Sequence, residues 1–182
     1  MIDELASLLK KKYNHRLMLR DAPDTCCQEC DLEVHNFDEV KKAFFGELMI
    51  EGYSLKSVDF IYIPTQRDEL HLIEMKRKPA TVGCRDFVRQ HLEFGAFRAK
   101  CVDSLFVILG LVGFNGTAKT FYNYFFNRKK LKIRSFFLSN FTDEEFLNIT
   151  LASLENLNIT LTNQIDPEIT ILNCTEFAAR YK

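Results

Sequence analysis

Hydrophobic and polar residues follow two different spacings along the chain, and these spacings predict a mixture of helices and strands. Apolar residues recurring every three to four positions predict helices over residues 2–12, 37–51, 84–102, 117–127 and 142–156. Alternating or continuous apolar runs predict strands over residues 57–64, 69–76, 104–112 and 131–139. Residues 13–36 follow neither spacing and are predicted to be irregular, and the tail is expected to hold one or two short strands and a last helix from about Thr175.

Turn and cap residues separate these elements. Gly52 is expected to end the helix over 37–51, and Thr142 with Glu145 three positions later forms a capping box at the start of 142–156. Residues 65–68 form a short loop between the first two strands, and Pro79 ends the second. The sequence therefore predicts an α/β (α+β) domain, in which helices flank a single mixed β-sheet.

The composition is that of a soluble globular protein. The chain has 182 residues, of which 47% are hydrophobic and 27% charged, and this length suits one domain over 1–182, with a core at about 37–140 and a C-terminal extension at about 141–182. The longest apolar run, 105–114, falls well short of the ~20 residues that cross a bilayer. Because the N-terminus also lacks the layout of a signal peptide, we expect an intracellular, cytoplasmic protein with no membrane partner.

Cysteines are frequent, and three of them cluster in sequence. Six cysteines without a secretion signal indicate reduced thiols. Cys26, Cys27 and Cys30 form a C-C-x-x-C motif near His35, and such ligands can hold zinc. A closed site would need all four residues, or help from Cys84, Cys101 or Cys174. The simpler interpretation is a loop with reduced thiols.

Charge is unevenly distributed. The net charge is −1, but residues 76–134 carry 13 Lys and Arg against 3 Asp and Glu, whereas the segments on both sides are acidic. A basic middle segment is typical of a phosphate-binding face, although a solvated lysine-rich surface would give the same composition.

The first two predicted strands bring acidic residues together. If their hairpin is symmetric about Gln66 and Arg67, Asp59 lies opposite Glu74, with Cβ atoms roughly 4.5–5.5 Å apart. Side chains alternate between faces, so Lys76 points to the same side as Glu74. Two carboxylates this close repel each other unless a cation lies between them. Oxygen ligands suit Mg²⁺ or Mn²⁺, and Lys76 could orient or deprotonate a water there, or neutralise charge on a phosphate. The alternative is a surface hairpin with an ordinary cross-strand ion pair.

The run S-V-D-F-I-Y-I-P, followed by L-H-L-I-E-M-K, resembles the core of the PD-(D/E)xK nuclease superfamily. The resemblance implies a restriction-endonuclease-like αβββαβ core and a Mg²⁺-dependent nuclease, a hydrolase that cuts phosphodiester bonds, with DNA favoured over RNA. It assigns metal binding to Asp59, Glu74 and the main-chain carbonyl of Met75, and assistance of the attacking water to Lys76. Gln90 fits a glutamine that many members carry in the following helix. Val58 departs from the signature, which has proline there.

Many members of the superfamily also use a glutamate on the preceding helix. The candidates are Glu39, Glu47 and Glu51, and Glu47 is preferred as a metal ligand because it lies in the helix body beside the apolar stripe. The alternative is that all three are solvated helix acids.

Further basic and aromatic residues are candidates for nucleic-acid binding. The predicted phosphate contacts are Lys78, Arg85, Arg89, Arg128, Lys129 and Lys130. His91 could contact substrate, and aromatic residues over 121–126 could stack bases, although core packing explains them as well. A homodimer is an open alternative, since many relatives cut duplexes as dimers. The rival functions are a non-catalytic nuclease-fold adaptor that binds nucleic acid or protein, and a regulatory protein whose aromatic residues bind a partner chain.

Overall fold

One mixed β-sheet organises the chain. The computed structural model describes residues 2–23, 25–64, 66–93, 96–116, 123, 125, 131–142, 144–145 and 168–181. Its six-stranded sheet is flanked by helices, which confirms the predicted fold class. The strands are β1 (Arg16–Met18), β2 (Glu33–Asn36), β3 (Phe60–Tyr62), β4 (Glu69–Met75), β5 (Lys132–Ser139) and β6 (Glu168–Asn173). The helices are α1 (Ile2–Lys11), α2 (Phe37–Glu47), α3 (Cys84–Val88), α4 (Ala96–Phe114) and α5 (Cys174–Ala179).

The strands lie side by side in chain order. Pairs from β1 to β4 are antiparallel, whereas β4, β5 and β6 are parallel. Antiparallel neighbours can be joined by short turns, but a parallel pair needs a long crossover. The connection from β4 to β5 contains α3 and α4. It returns the chain to the end of the sheet at which β4 begins, so that β5 can run parallel to β4.

Both faces of the sheet are covered. On one face, α1, α2 and α4 pack on a core that includes Ile61, Leu72 and Phe137. On the other face, the loop after β1 and helix α5 pack on a second core, which includes Ile73 and Phe136. Burial on both sides explains why β4 is buried along its whole length and why its sequence is nearly continuously apolar.

The sequence predictions for residues 13–36 and 104–112 are wrong. Residues 13–36 are not wholly irregular, because they hold the short strands β1 and β2, which are too short to show an alternation. Residues 104–112 are not a strand but the second half of α4. An apolar run of this kind has no period that separates strand from buried helix.

The predicted helix over 37–51 is shorter than expected. It ends at Glu47, Met49 adopts a left-handed φ of 53°, and Gly52 is therefore not its cap. After the helix, Leu48 packs against the first core, whereas Met49 is 91% exposed. The capping box at Thr142 and Glu145 is confirmed by its two reciprocal hydrogen bonds, of 3.1 and 3.2 Å. Most of the helices predicted over 117–127 and 142–156 lies outside the described residues.

Candidate active site

The register of β3 and β4 brings Asp59 next to Glu74. Phe60 pairs with Ile73 across the two strands, as the symmetric hairpin predicts, so the next positions outward are Asp59 and Glu74. Asp59 Oδ2 accepts a hydrogen bond of 2.8 Å from the Met75 backbone N–H. This bond continues the strand pairing and fixes the carboxylate, and it places the main chain of Met75 beside Asp59.

Glu74 is a buried acid held by two lysines. Its side chain is 3% exposed, and its Oε1 lies 2.6 Å from Lys100 Nζ and 2.9 Å from Lys76 Nζ. Its Oε2 is buried and has no hydrogen-bond partner among the residues that the structure describes. Burial raises the pKa of Glu74, and the negative charge of Asp59 raises it further against the opposing effect of the two lysines. The site therefore holds a buried carboxylate whose ionised form a nearby cation would stabilise.

Lys76 joins the two acids. Its Nζ lies 3.3 Å from Asp59 Oδ2 in addition to its contact with Glu74. Burial by itself would lower the pKa of Lys76, but Glu74 and Asp59 outweigh burial and raise it above its usual value. The structure thus brings Asp59, Glu74 and Lys76 together, with the ammonium group charged at neutral pH.

Lys100 is a member of this cluster that the sequence analysis missed. It lies in the first turns of α4 and contacts Glu74, and its Nζ is 3.9 Å from Asp59 Oδ1. No Lys or Arg follows it in α4. The available signal was a lysine in the polar first turns of a helix whose second half is apolar, but the incorrect strand prediction at 104–112 concealed the length of that helix.

The acid that α2 contributes to the cleft is Asp38, not Glu47. Glu47 lies at the far end of α2, where its carboxylate contacts Lys12 Nζ at 2.8 Å and the Tyr13 hydroxyl at 3.0 Å. Lys12 in turn donates to Asn115, which follows the C-terminus of α4. Since Lys100 is near the opposite end of that helix, Glu47 is about 20 Å from the cluster by the helical rise of 1.5 Å per residue.

Asp38, in the first turn of α2, lines the same cleft as Asp59. It accepts hydrogen bonds from Ser57 and Lys41. Burial by itself would raise the pKa of Asp38, but these hydrogen bonds outweigh burial and hold it below the usual value. The other helix acids considered from sequence are elsewhere: Glu39 pairs with Lys42 at 2.5 Å, and Glu51 is exposed beyond the helix.

The turn after α3 presents His91 to the cluster. The residues Arg89–Glu93 form a π-helical turn, and its His91 ring lies against Phe87 with centroids 4.7 Å apart. Burial lowers the pKa of His91, and the nearby charges of Lys76 and Lys100 lower it further. The imidazole is therefore neutral at pH 7. Gln90, the predicted site residue, is exposed on the same turn.

The cleft beside Asp59 measures about 1020 Å³ and opens where the chain leaves β4 and β5. Lys76, Arg77 and Lys78 line it after β4, and Asn140 lines it after β5. Ligands of open α/β sheets bind in this position, outside the carboxyl ends of parallel strands. The structure therefore contains a cleft large enough for part of a polymer, with acidic and basic groups on its wall.

The predicted phosphate-binding residues have different surroundings. Lys78 lines the cleft, but its ammonium group pairs with Glu145 at 3.2 Å. Arg85 and Arg89 are exposed on α3 and the π-helical turn, and Arg77, which sequence reasoning did not select, is exposed in the cleft wall. The remaining predicted residues, Arg128, Lys129 and Lys130, lie outside the described residues.

The expectation that all cysteines are reduced is wrong for two of them. Cys26 and Cys174, which are 148 positions apart, form a disulfide. Cys27, Cys30, Cys84 and Cys101 are free. The spatial proximity of Cys26 and Cys174 arises from packing of the loop after β1 against the end of β6, and no sequence spacing could reveal it.

No known protein family, curated protein or solved structure matches the chain in the three comparisons made. Among the described residues, no helix has the length and hydrophobicity required to cross a membrane.

Proposed function

We propose that the protein is a metal-dependent nuclease that hydrolyses phosphodiester bonds of nucleic acid, with DNA as the favoured substrate. The observation that carries this proposal is the cluster in which Lys76 contacts both Asp59 and the buried Glu74. Asp59 and Lys76 line a large cleft. The D…E-x-K spacing is the one that the nuclease resemblance requires.

The residues present fit a divalent cation. Glu74 Oε2 is buried without a partner among the described residues, and a second carboxylate adjoins it. Asp59, Glu74 and the main-chain carbonyl of Met75 would hold Mg²⁺ or Mn²⁺, which prefer oxygen ligands. When bound, the ion supplies a water of lowered pKa and a positive charge for a phosphate oxygen.

The basic groups have separate roles in this proposal. Lys76 remains protonated, because its two carboxylate neighbours raise its pKa, and it therefore orients water and stabilises negative charge rather than accepting a proton. Lys100 holds Glu74 in position through Oε1, the oxygen that Lys76 also contacts. The neutral His91 beside these amines can accept a proton near pH 7. Arg77 is positioned to contact a phosphate in the cleft.

The second candidate function is a non-catalytic adaptor that uses the same cleft for binding. One observation favours it: Glu74 and Asp59 are already balanced by two ammonium groups, so the cluster needs no metal for neutrality. Two observations favour the enzyme instead: Glu74 Oε2 has no partner among the described residues, and Asp59 and Lys76 line the cleft.

A cleavage assay tests the proposal. Labelled single-stranded, double-stranded and branched DNA, and matching RNA, are incubated with Mg²⁺, Mn²⁺ or a chelator. We expect cleavage that requires the metal, and a loss of at least about 100-fold in Asp59→Asn and in Lys76→Met. Asp68→Asn, in the exposed hairpin loop, is the matched control and should keep full activity.

Two results would contradict the nuclease. One is the absence of metal-dependent cleavage of every substrate by a folded wild-type protein. The other is unchanged cleavage by both site variants. Binding of nucleic acid without cleavage would favour the adaptor.

A further inference from the structure

Three sulfur atoms from distant parts of the chain meet on the sheet face opposite α4. Cys26 and Cys27 lie in the loop between β1 and β2, and Cys174 begins α5. Their sulfur atoms all lie within 4.8 Å of one another. This cluster belongs to the second core and is separate from the Asp59 and Glu74 site on the first.

The cluster contains more sulfur than a disulfide needs. The Cys26–Cys174 bond uses two sulfur atoms, yet Cys27 Sγ lies only 4.0 Å from Cys26 Sγ. This separation is close to that between two thiolates on one zinc ion, since Zn–S bonds of ≈ 2.3 Å in a tetrahedron place sulfur atoms slightly less than 4 Å apart. Cys26 and Cys27 are consecutive in the chain, and Cys174, which is 148 positions from Cys26, brings a third sulfur atom to the same place.

A fourth cysteine is held by the same loop. The backbone N–H of Cys30 donates to the Cys27 carbonyl at 3.1 Å, closing a tight turn over the C-x-x-C segment. Cys30 is 1% exposed in the same core, and the Leu32 backbone hydrogen bonds to its thiol. Backbone hydrogen bonds of this kind orient and support metal-bound thiolates.

We propose that in the reduced protein this cysteine cluster is a structural zinc site, with Cys26, Cys27, Cys30 and Cys174 as its four thiolate ligands. Three of these sulfur atoms are already grouped, and Cys30 would supply the fourth from the turn that it shares with Cys27. Sulfur ligands select zinc over Mg²⁺, Ca²⁺ or Mn²⁺. The disulfide is the oxidised, metal-free form of the same cluster. A phosphine reductant converts it to two thiols while the phosphine takes oxygen from water, and the four thiols then release their protons as zinc binds.

The zinc would fix the loop that forms one side of the cleft. Among the described residues of the loop over 22–32 none is in a helix or strand, and apart from its cysteines these residues contribute only Ala22 and Leu32 to the buried core. Its Pro23 lines the cleft next to Asp59. A metal ion bound by this loop and by the start of α5 would hold that wall of the cleft against the sheet. It would link Cys26 to Cys174, which are 148 positions apart in the sequence.

Metal analysis of the wild-type protein tests the site directly. The full chain is purified without chelator in the presence of a phosphine reductant, and zinc and iron are measured by mass spectrometry together with a thiol titration. We expect about one zinc per chain. Replacement by cobalt should give a strong near-ultraviolet sulfur-to-cobalt charge-transfer band, which a carboxylate site does not give. Absence of zinc from a fully reduced, folded protein, or iron and sulfide in its place, would overturn the proposal.

A matched pair of variants separates the zinc site from a simple disulfide. Cys27→Ser removes a cysteine that is not in the disulfide, so we expect it to lose zinc and the cobalt band while the Cys26–Cys174 bond still forms under oxidising conditions. Cys84→Ser changes a free cysteine on α3 and should retain both. Unchanged zinc content in Cys27→Ser would also contradict the assignment.

The outcome is independent of the proposed nuclease. Glu74→Gln should retain the zinc and its cobalt band, because its carboxylate is on the other face of the sheet. Zinc lost from Glu74→Gln but kept in Cys27→Ser would assign the metal to the carboxylates and overturn the cysteine site.

Discussion

Glu74 is a buried carboxylate whose position is energetically unfavourable. Its pKa is raised by burial and by Asp59, and one of its oxygens lacks a partner among the described residues. Removing a charge from water costs several kcal/mol unless opposite charges compensate, and here two lysines provide that compensation. Ionisable groups whose pKa is shifted by burial and by nearby charges are concentrated at functional sites. At the scale of single residues, Glu74 is therefore the strongest sign of function.

Substitution of Lys100 tests how this carboxylate is kept ionised. Lys100 lowers the pKa of Glu74, so Lys100→Met should raise that pKa further. If catalysis needs the ionised acid, the acidic limb of the pH–rate profile should move to higher pH. Activity at pH 7 should then fall about 10- to 100-fold, with partial recovery at higher pH. The measurement is kcat and KM for cleavage across pH.

The control for this change is Lys42→Met, which removes an exposed lysine on α2 and should leave the pH profile unchanged. A Lys100→Met variant that loses activity equally at every pH would show that Lys100 does not act through the ionisation of Glu74.

The sequence predicts some of these residues and not others, for a physical reason. Asp59, Glu74 and Lys76 are linked by strand alternation and one short hairpin, so a local rule is sufficient to bring them together. Lys100 and Asp38 reach the site through the packing of α4 and α2 on the sheet, which no local spacing encodes. The motif consequently predicted correctly that Asp59 and Glu74 are neighbours. The prediction of Glu47 on the preceding helix was wrong, because Asp38 is the acid of that helix that lines the cleft.

At the scale of elements, α4 is where the sequence patterns are least informative. Its residues 105–114 are apolar without a period, and buried positions such as Cys101, Leu105 and Ile108 follow helical spacing only when the whole helix is considered. The parallel pairing of β4 and β5 requires a crossover, so topology favours a helix in this segment. β3, β4 and β5 were predictable because each has a hydrophobic run bounded by polar or turn residues.

Substitutions at two glycines test how closely α2 and α4 are packed. A Cβ at Gly46, near the end of α2, would have no atom within 4 Å, so Gly46→Ala should stabilise the protein by about 0.5–1 kcal/mol through helix propensity. A Cβ at Gly110 would lie 3.4 Å from the Phe44 ring, and the further branches of valine would collide with it. Gly110→Val should therefore destabilise the protein by about 1–3 kcal/mol.

Urea unfolding of the two variants and the wild type measures both effects. A stabilising Gly110→Val would contradict the close packing of α4 on α2, and a destabilising Gly46→Ala would contradict the open surroundings of α2 at that position.

At the scale of the whole molecule, the two faces of the sheet carry different groups of residues. One face supports the acidic cluster through α2 and α4, and the other holds the cysteines and the loop that reaches the cleft. Residues from both sides of the sheet line the cleft at the ends of β4 and β5, including Pro23 from the loop and Asp38 from α2. The mixed sheet flanked by helices was predictable from element order, but the juxtaposition of Cys26 with Cys174 was not, because it depends on how distant segments pack.

The central claim is that Asp59 and Glu74 together bind a divalent cation, and calorimetric titration of the folded protein with Mn²⁺ tests it most directly. The account predicts saturable binding to the wild type, weakened about 10- to 100-fold in Glu74→Gln and unchanged in Cys27→Ser, since Mn²⁺ prefers oxygen ligands to thiolates. The absence of Mn²⁺ binding to the wild type, or equal binding by wild type and Glu74→Gln, would contradict it.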